Sequence, residues 1–234
     1  MKLEINNLTH IYDRDILKNL NLNLDGYNSI ALIGVSGSGK STLVRILAGL
    51  EKPTTGYVKV NDLEVSSDEY KKKIGFVFQK HNLFPHLTLK ANITLVLEKT
   101  RGYSKEEANL IANKYLELLH LEKEGNKLPK NVSGGEAQRA SLARALSINP
   151  EIIFLDEPTS SLDPILTDEV LQAVENLKDL GKKFIFITHV ISFVKDFADY
   201  VIYMDQGEII EHGSPNILTN PKTKLLKEFM EKVR

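Results

Sequence analysis

The 234-residue chain contains no cysteine. That absence excludes disulfides, thiolate metal sites and thiol catalysis, and it fits a reducing compartment. An excess of one charge sign is missing too: 30 lysines and arginines stand against 31 aspartates and glutamates, for a net charge of -1. No basic surplus therefore argues for contact with nucleic acid or an anionic lipid surface. Long hydrophobic runs are also lacking. The longest, such as "IIFL" and "FIFI", are strand-sized and fall far short of the ~20 residues that a membrane-spanning helix requires. The opening "MKLEINNLTHIYDRD" alternates polar and apolar residues, is charged throughout, and lacks the apolar segment of a signal peptide. The expected compartment is the cytoplasm, with any membrane role exerted through a partner.

What is present is an ordinary globular composition, 42% hydrophobic, sufficient to bury a sizeable core. Short runs rich in Ile, Val and Phe read as strands: "SIALIG", "IGFVF", "EIIFL", "KFIFIT" and "YVIYM". Helical patterns lie between most of them, including Ser41 to Leu50, Lys105 to Leu119, Ser133 to Leu146 and Ile165 to Leu180. Apolar runs without alternation indicate strands buried on both faces, and strands separated by helices indicate a mainly parallel α/β sheet. From roughly Pro85 to Ser147 the strands vanish, which predicts a helical insertion at 85–147 in an α/β core of 1–84 and 148–234.

After the strand "SIALI" comes "GVSGSGKST", in which Gly34, Gly39, Lys40 and Ser41 fill the pattern G-x-x-x-x-G-K-[ST]. Glycines let backbone N–H groups wrap phosphates, so Gly34, Val35, Ser36, Gly37, Ser38, Gly39, Lys40, Ser41 and Thr42 are the expected phosphate cradle. Lys40 can reach the outer phosphates, Ser41 can ligate magnesium, and the positive end of the following helix adds to the field. The alternative, a glycine-rich turn that binds nothing, fits poorly with a strand before and a helix after the motif.

The second element is "EIIFLDEPTSSLDP", an apolar strand ending in Asp156 and Glu157. In open α/β sheets ligands gather at the carboxyl ends of strands, so both acids are expected near the phosphates. Asp156 can hold magnesium through its water shell, and Glu157 can act as the general base on the attacking water. A third strand, "KFIFIT", carries His189 to the same edge, where an imidazole can sense a γ-phosphate. The stretch "NVSGGEAQRASLARAL" reads two ways. Ser133 and Glu136 have capping-box spacing, whereas a Ser-Gly-Gly at a helix start is also a bed of open N–H groups suited to an anion.

With "GVSGSGKST", "VSGGE", "FLDEP", "SLD" and "TH" in this order, the chain resembles the nucleotide-binding subunit of an ATP-binding cassette (ABC) transporter. The resemblance spans nearly the whole sequence. It implies a single ABC ATPase domain: a P-loop NTPase (RecA-like) core with a mainly parallel sheet, an antiparallel β region near the N-terminus, and an inserted α-helical subdomain. It implies ATP and Mg2+ as cofactors. Tyr12 takes the place of the aromatic residue that stacks on adenine, and Gln79 that of the glutamine contacting magnesium and the attacking water. It further implies a homodimer sandwiching two ATP molecules. In that dimer Ser133, Gly134 and Gly135 meet the γ-phosphate bound by the other copy, and Asp163 communicates between the sites.

The segments "HNLFPHLT", "RGYSKEEA", "DEPTSSLDP", "ADYVIYMDQGEIIEHGSP" and "NPKTKLLKEFMEKV" are similar to importers of polar amino acids. That similarity implies integral-membrane permease subunits as partners, a substrate-binding protein acting indirectly, and a peripheral location on the cytoplasmic face of the membrane. Val132 and Glu136 stand where leucine and glutamine are common, and glutamate there also occurs in relatives that release lipoproteins or export other substrates. A lipoprotein-release or efflux ATPase is therefore the alternative. A soluble non-transport ABC ATPase needs a long coiled-coil insertion or two cassettes, for which the sequence has no room. A GTPase needs Asn-Lys-x-Asp, and "NKLP" at Asn126 lacks the aspartate.

Overall fold

A computed structural model of the chain describes residues 1–160, 162–178 and 181–233. In chain order the strands and helices begin with β1 (Leu3–Ile11), β2 (Asp15–Leu24), β3 (Ser29–Gly34), α1 (Lys40–Leu47), β4 (Thr55–Val60), β5 (Leu63–Glu64), α2 (Asp68–Lys71) and β6 (Ile74–Val77). There follow α3 (Leu89–Arg101), α4 (Lys105–Leu118), α5 (Gly134–Ser147), β7 (Ile152–Asp156) and α6 (Pro164–Lys178). The chain closes with β8 (Lys183–Ile187), α7 (Ile191–Phe197), β9 (Tyr200–Asp205), β10 (Glu208–Gly213) and α8 (Lys224–Lys232). The last two residues of the helix expected at Ile165 to Leu180 lie outside the described residues.

These elements form two compact units, one of Met1–Ile74 with Lys183–Arg234 and one of Gly75–Lys182. In the first, β2, β1, β4 and β5 make a sheet in that order, with β1 antiparallel to both β2 and β4. Buried and exposed residues nearly alternate along β1 and β2, and Leu3, Ile5, Leu17, Leu20 and Leu22 turn inward. That period of two is what a sheet with one covered face requires. The same unit holds strands in the order β10-β9-β3-β8, with β3 parallel to both β8 and β9, and β9 and β10 forming an antiparallel hairpin. All six residues of β3 are buried. A strand shielded on both faces has no reason to alternate, hence the unbroken apolar run.

The second unit contains β7 and β6 as neighbours, with helices α3 to α6. Phe76 of β6 stacks on Phe154 of β7 with ring centroids 6.2 Å apart. Between β6 and β7 the described residues form helices, turns and irregular chain, so the strandless stretch expected from the sequence is helical. Its helices are well signalled locally: Thr88 caps α3, and Ser104 with Glu107 forms a capping box on α4. The fold is α/β, with an antiparallel sheet near the N-terminus, parallel strands around β3, and a helical stretch between β6 and β7. Among the described residues no helix is long and apolar enough to cross a membrane.

Candidate functional site

In the first unit the chain leaves β3 at Gly34 and re-enters regular structure at Lys40. Gly34, Gly37 and Gly39 have φ of 147°, 79° and 96°, backbone that side chains disfavour. Space is equally restrictive at two of them. A Cβ on Gly34 would lie 2.1 Å from the Met204 carbonyl oxygen, and one on Gly39 2.9 Å from that of Ile16. The loop closes around Lys40, whose buried ammonium donates to the carbonyls of Gly34 at 2.9 Å and Val35 at 2.8 Å. Outside support comes from the β9–β10 turn, where the Gly207 N–H donates to the Ser38 carbonyl at 3.2 Å. Val35, Ser36 and Gly37 are exposed, Ser38 is buried, and Ser41 and Thr42 in the first turn of α1 are half-buried. The loop thus offers an exposed rim over a buried cation, as a phosphate chain requires.

His189 follows β8 and is exposed. The parallel register pairs Leu32 with Ile187, so β3 and β8 deliver the phosphate loop and His189 to one edge of the sheet. Tyr12 lies in the turn between β1 and β2 and is 53% exposed. Its hydroxyl donates to Glu51, and Thr42 lies near the phenol. Burial, followed by the Glu51 hydrogen bond, raises the phenol above its ordinary pKa.

In the second unit β7 ends at Asp156, which is buried at 1% exposure. The next residue, Glu157, has φ of 47°, an uncommon left-handed conformation for a side chain of this kind. The backbone therefore reverses at the end of the strand. The Gln79 amide donates to the Glu157 carboxylate at 3.2 Å and to the Ser160 hydroxyl at 3.1 Å. Gln79 is held from behind. The buried Gln138 of α5 donates to the Phe78 carbonyl at 3.1 Å, and Arg144 of α5 donates to the carbonyls of Asn82 at 2.8 Å and His81 at 3.2 Å. Fully buried Asn92 accepts from the Phe84 N–H at 2.7 Å and donates to the Phe84, Leu87 and Thr88 carbonyls, fixing the "NLFPHLT" segment.

Ser133 caps α5, and the capping box is closed: the Ser133 N–H donates to Glu136 at 2.7 Å and the Glu136 N–H donates to the Ser133 hydroxyl at 3.2 Å. The Ser133 backbone donor, more than any other cause, holds the Glu136 carboxyl below its ordinary pKa. A Cβ on Gly135 would lie 2.9 Å from Leu166 Cδ2, and one on Gly134 3.2 Å from Leu162 Cδ2. These glycines let the helix start approach the residues flanking Asp163. Asp163 itself accepts from the N–H groups of Ile165 at 2.9 Å and Leu166 at 3.0 Å, capping α6. Ser161 of "SLD" lies outside the described residues. Sequence reasoning missed Glu51, Ser160, Gln138, Arg144 and Asn92 as site supports. Only Gln138 and Arg144 had a local signal, their place on the helix that opens at Ser133.

The chain resembles known proteins in sequence and in fold. The ABC transporter family model matches residues 17–160. The arginine transport ATP-binding protein ArtM of Bacillus subtilis (strain 168) is 40% identical over 94% of each chain. The glutamine transport ATP-binding protein GlnQ of Escherichia coli (strain K12) is 38% identical over 99% of each. Among solved structures, the dimeric structure of MJ0796, a bacterial ABC transporter cassette, superposes with a TM-score of 0.81 at 36% identity, covering 91% of this chain and 98% of that one. A phosphate loop built around a buried lysine, a strand ending in paired acids and a match across nearly the full length lead to one conclusion: the chain belongs to the ABC transporter family.

Proposed function

We propose that this chain is the ATP-hydrolysing subunit of a transporter that imports a polar amino acid through a separate integral-membrane permease. The hydrolytic half of that reading rests chiefly on Glu157. Its backbone turns sharply after Asp156, and its carboxylate accepts from Gln79, so one polar side chain orients the base. A carboxylate so held can take a proton from the water that attacks the γ-phosphate. The loop from Gly34 to Thr42 binds the phosphates, Tyr12 stacks on the base, and His189 contacts the γ-phosphate.

Ser41, Asp156 and Gln79 are the residues that would hold magnesium. Among the described residues no group of three or more His, Cys, Asp or Glu could hold a metal ion by itself. That fits magnesium, which is usually bound through one or two carboxylates plus the phosphates of its substrate. When bound, the ion would neutralise charge developing on the phosphate oxygens.

A second copy of the chain completes each site, with Ser133, Gly134 and Gly135 facing the phosphate held by the other copy and Asp163 linking the two. MJ0796, at 36% identity, is described as a dimer, which supports this arrangement. ArtM and GlnQ, transport ATP-binding proteins for arginine and glutamine, support the substrate class. The permease in turn receives its cargo from a substrate-binding protein, and the chain lies on the cytoplasmic face.

Phosphate release by Glu157→Gln tests the base: turnover is expected to drop about 100-fold or more, with an ATP-stabilised dimer accumulating. A fully active variant overturns the assignment. Co-purification of the permease, followed by assay in vesicles, tests the cargo. Turnover unmoved by every polar amino acid counts against import of that class.

A further inference from the structure

The side chain that would stack on adenine does not stand alone. Tyr12 is 53% exposed at the tip of the β1–β2 turn, where an unsupported ring would sample several rotamers. Three groups surround it. Its hydroxyl donates to Glu51, in the turn that follows α1. Thr42, in the first turn of α1 directly after the magnesium-directed Ser41, lies near enough to the same phenol to lower its pKa. His10 meets the ring edge-on, with centroids 4.6 Å apart and planes at 89°, and its Nε2 lies 3.0 Å from the Glu51 carboxylate without the geometry of a hydrogen bond.

The backbone beneath the ring is tied to the same turn. The Ile11 N–H donates to the Thr54 hydroxyl at 3.0 Å, and the Thr54 N–H donates to the Thr9 carbonyl at 2.9 Å. Glu51 is the acceptor in this group, and its side chain is only 22% exposed, so competition from water is reduced.

We infer that Glu51 is a positioning residue for nucleotide binding: by accepting the Tyr12 hydroxyl, it locks the ring beside the phosphate loop, ready to receive the base. The inference rests on the proposed stacking role of Tyr12. Glu51 does not touch the reacting phosphates, so its loss weakens base binding without slowing the chemical step. An aromatic already held in its bound rotamer spares the entropy of ordering it when nucleotide arrives.

The test is steady-state ATP hydrolysis by the full chain with Tyr12→Ala, Tyr12→Phe, Glu51→Ala, Glu51→Gln and the double variant Tyr12→Phe with Glu51→Ala. Glu51→Ala is expected to raise KM for ATP about fivefold to tenfold, the scale of one hydrogen bond, with kcat unchanged. Inorganic triphosphate, which has no base to stack, is expected to compete equally well against every variant.

Tyr12→Phe keeps the ring and loses the hydroxyl, so it should match Glu51→Ala, and the double variant should be no worse than either. Glu51→Gln retains an acceptor and should restore most of the affinity, which a general loss of folding would not. An unchanged KM in Glu51→Ala, or additive effects in the double variant, overturns the inference. The Tyr12→Ala result separates the two ideas. A raised KM there with Glu51→Ala unaffected sinks only the Glu51 role, whereas an unchanged KM sinks the stacking reading and the inference with it.

Discussion

The phosphate loop and the Ser133 turn are both glycine-rich helix starts, yet they are built by opposite means. Helix α1 begins after Gly39, in left-handed backbone with no side-chain cap. The cation drawn into that loop is Lys40, the first residue of the helix itself. Helix α5 begins after Ser133 in extended backbone, and Ser133 and Glu136 satisfy each other's donors. The glycines also differ in purpose. Gly34 and Gly39 are required by positive φ and by carbonyls at their backs, whereas Gly134 and Gly135 lie against the leucine side chains of the segment that opens α6. One turn is shaped for an anion by its own backbone. The other is a finished helix cap whose glycines keep a surface low.

The sharpest way to break this comparison is to add a methyl group to each turn. Gly34→Ala drives a Cβ to 2.1 Å from a backbone carbonyl that has nowhere to move. A loss of about 3 kcal/mol or more is expected in chemical denaturation, together with loss of nucleotide binding. Gly135→Ala meets Leu166, whose Cδ2 at 2.9 Å can turn aside while its Cβ at 3.2 Å must give by a few tenths of an ångström. About 1 kcal/mol is expected, and pairing it with Leu166→Ala should make room for the added methyl. Equal losses from the two single variants would show that the glycines serve one purpose after all.

Smaller still is Glu136→Gln. Glutamine keeps the capping geometry, and this pair is near solvent, so a change below about 0.5 kcal/mol is expected. Its sign follows from the lowered carboxyl pKa. The ionised carboxylate contributes in full above its ordinary value of 4.5, and the contribution fades as pH falls through the lower folded value. Melting curves of wild type and variant should therefore converge in acid. Tighter ATP-driven dimerisation of the variant would show instead that the charge opposes the phosphate that the proposed dimer brings to this turn.

Much of the fold was legible beforehand. The runs from Ser29, Lys183 and Tyr200 are strands β3, β8 and β9 because strands buried on both faces must be apolar throughout. The helices from Lys105 and Ser133 begin where a serine precedes a glutamate by three, a cap encoded in four consecutive residues. Two-residue β5 and four-residue α2 left no readable pattern, because so few positions cannot establish a period. The candidate site divides in the same way. The phosphate loop and the Asp156–Glu157 pair were visible as motifs, whereas the partners that hold Tyr12 and Gln79 were not.

By itself, then, the sequence determined whatever depends on neighbours along the chain: the α/β alternation, the glycine spacing that frees backbone donors, and the caps that begin helices. Tertiary structure decided the contacts between distant positions. It joined Tyr12 to Glu51 across 39 residues, Gln79 to Glu157 across 78, and Gly135 to Leu166. The physical reason is that a hydrogen bond or a close packing contact acts over a few ångströms of space and carries no signature in the residues that lie between its ends.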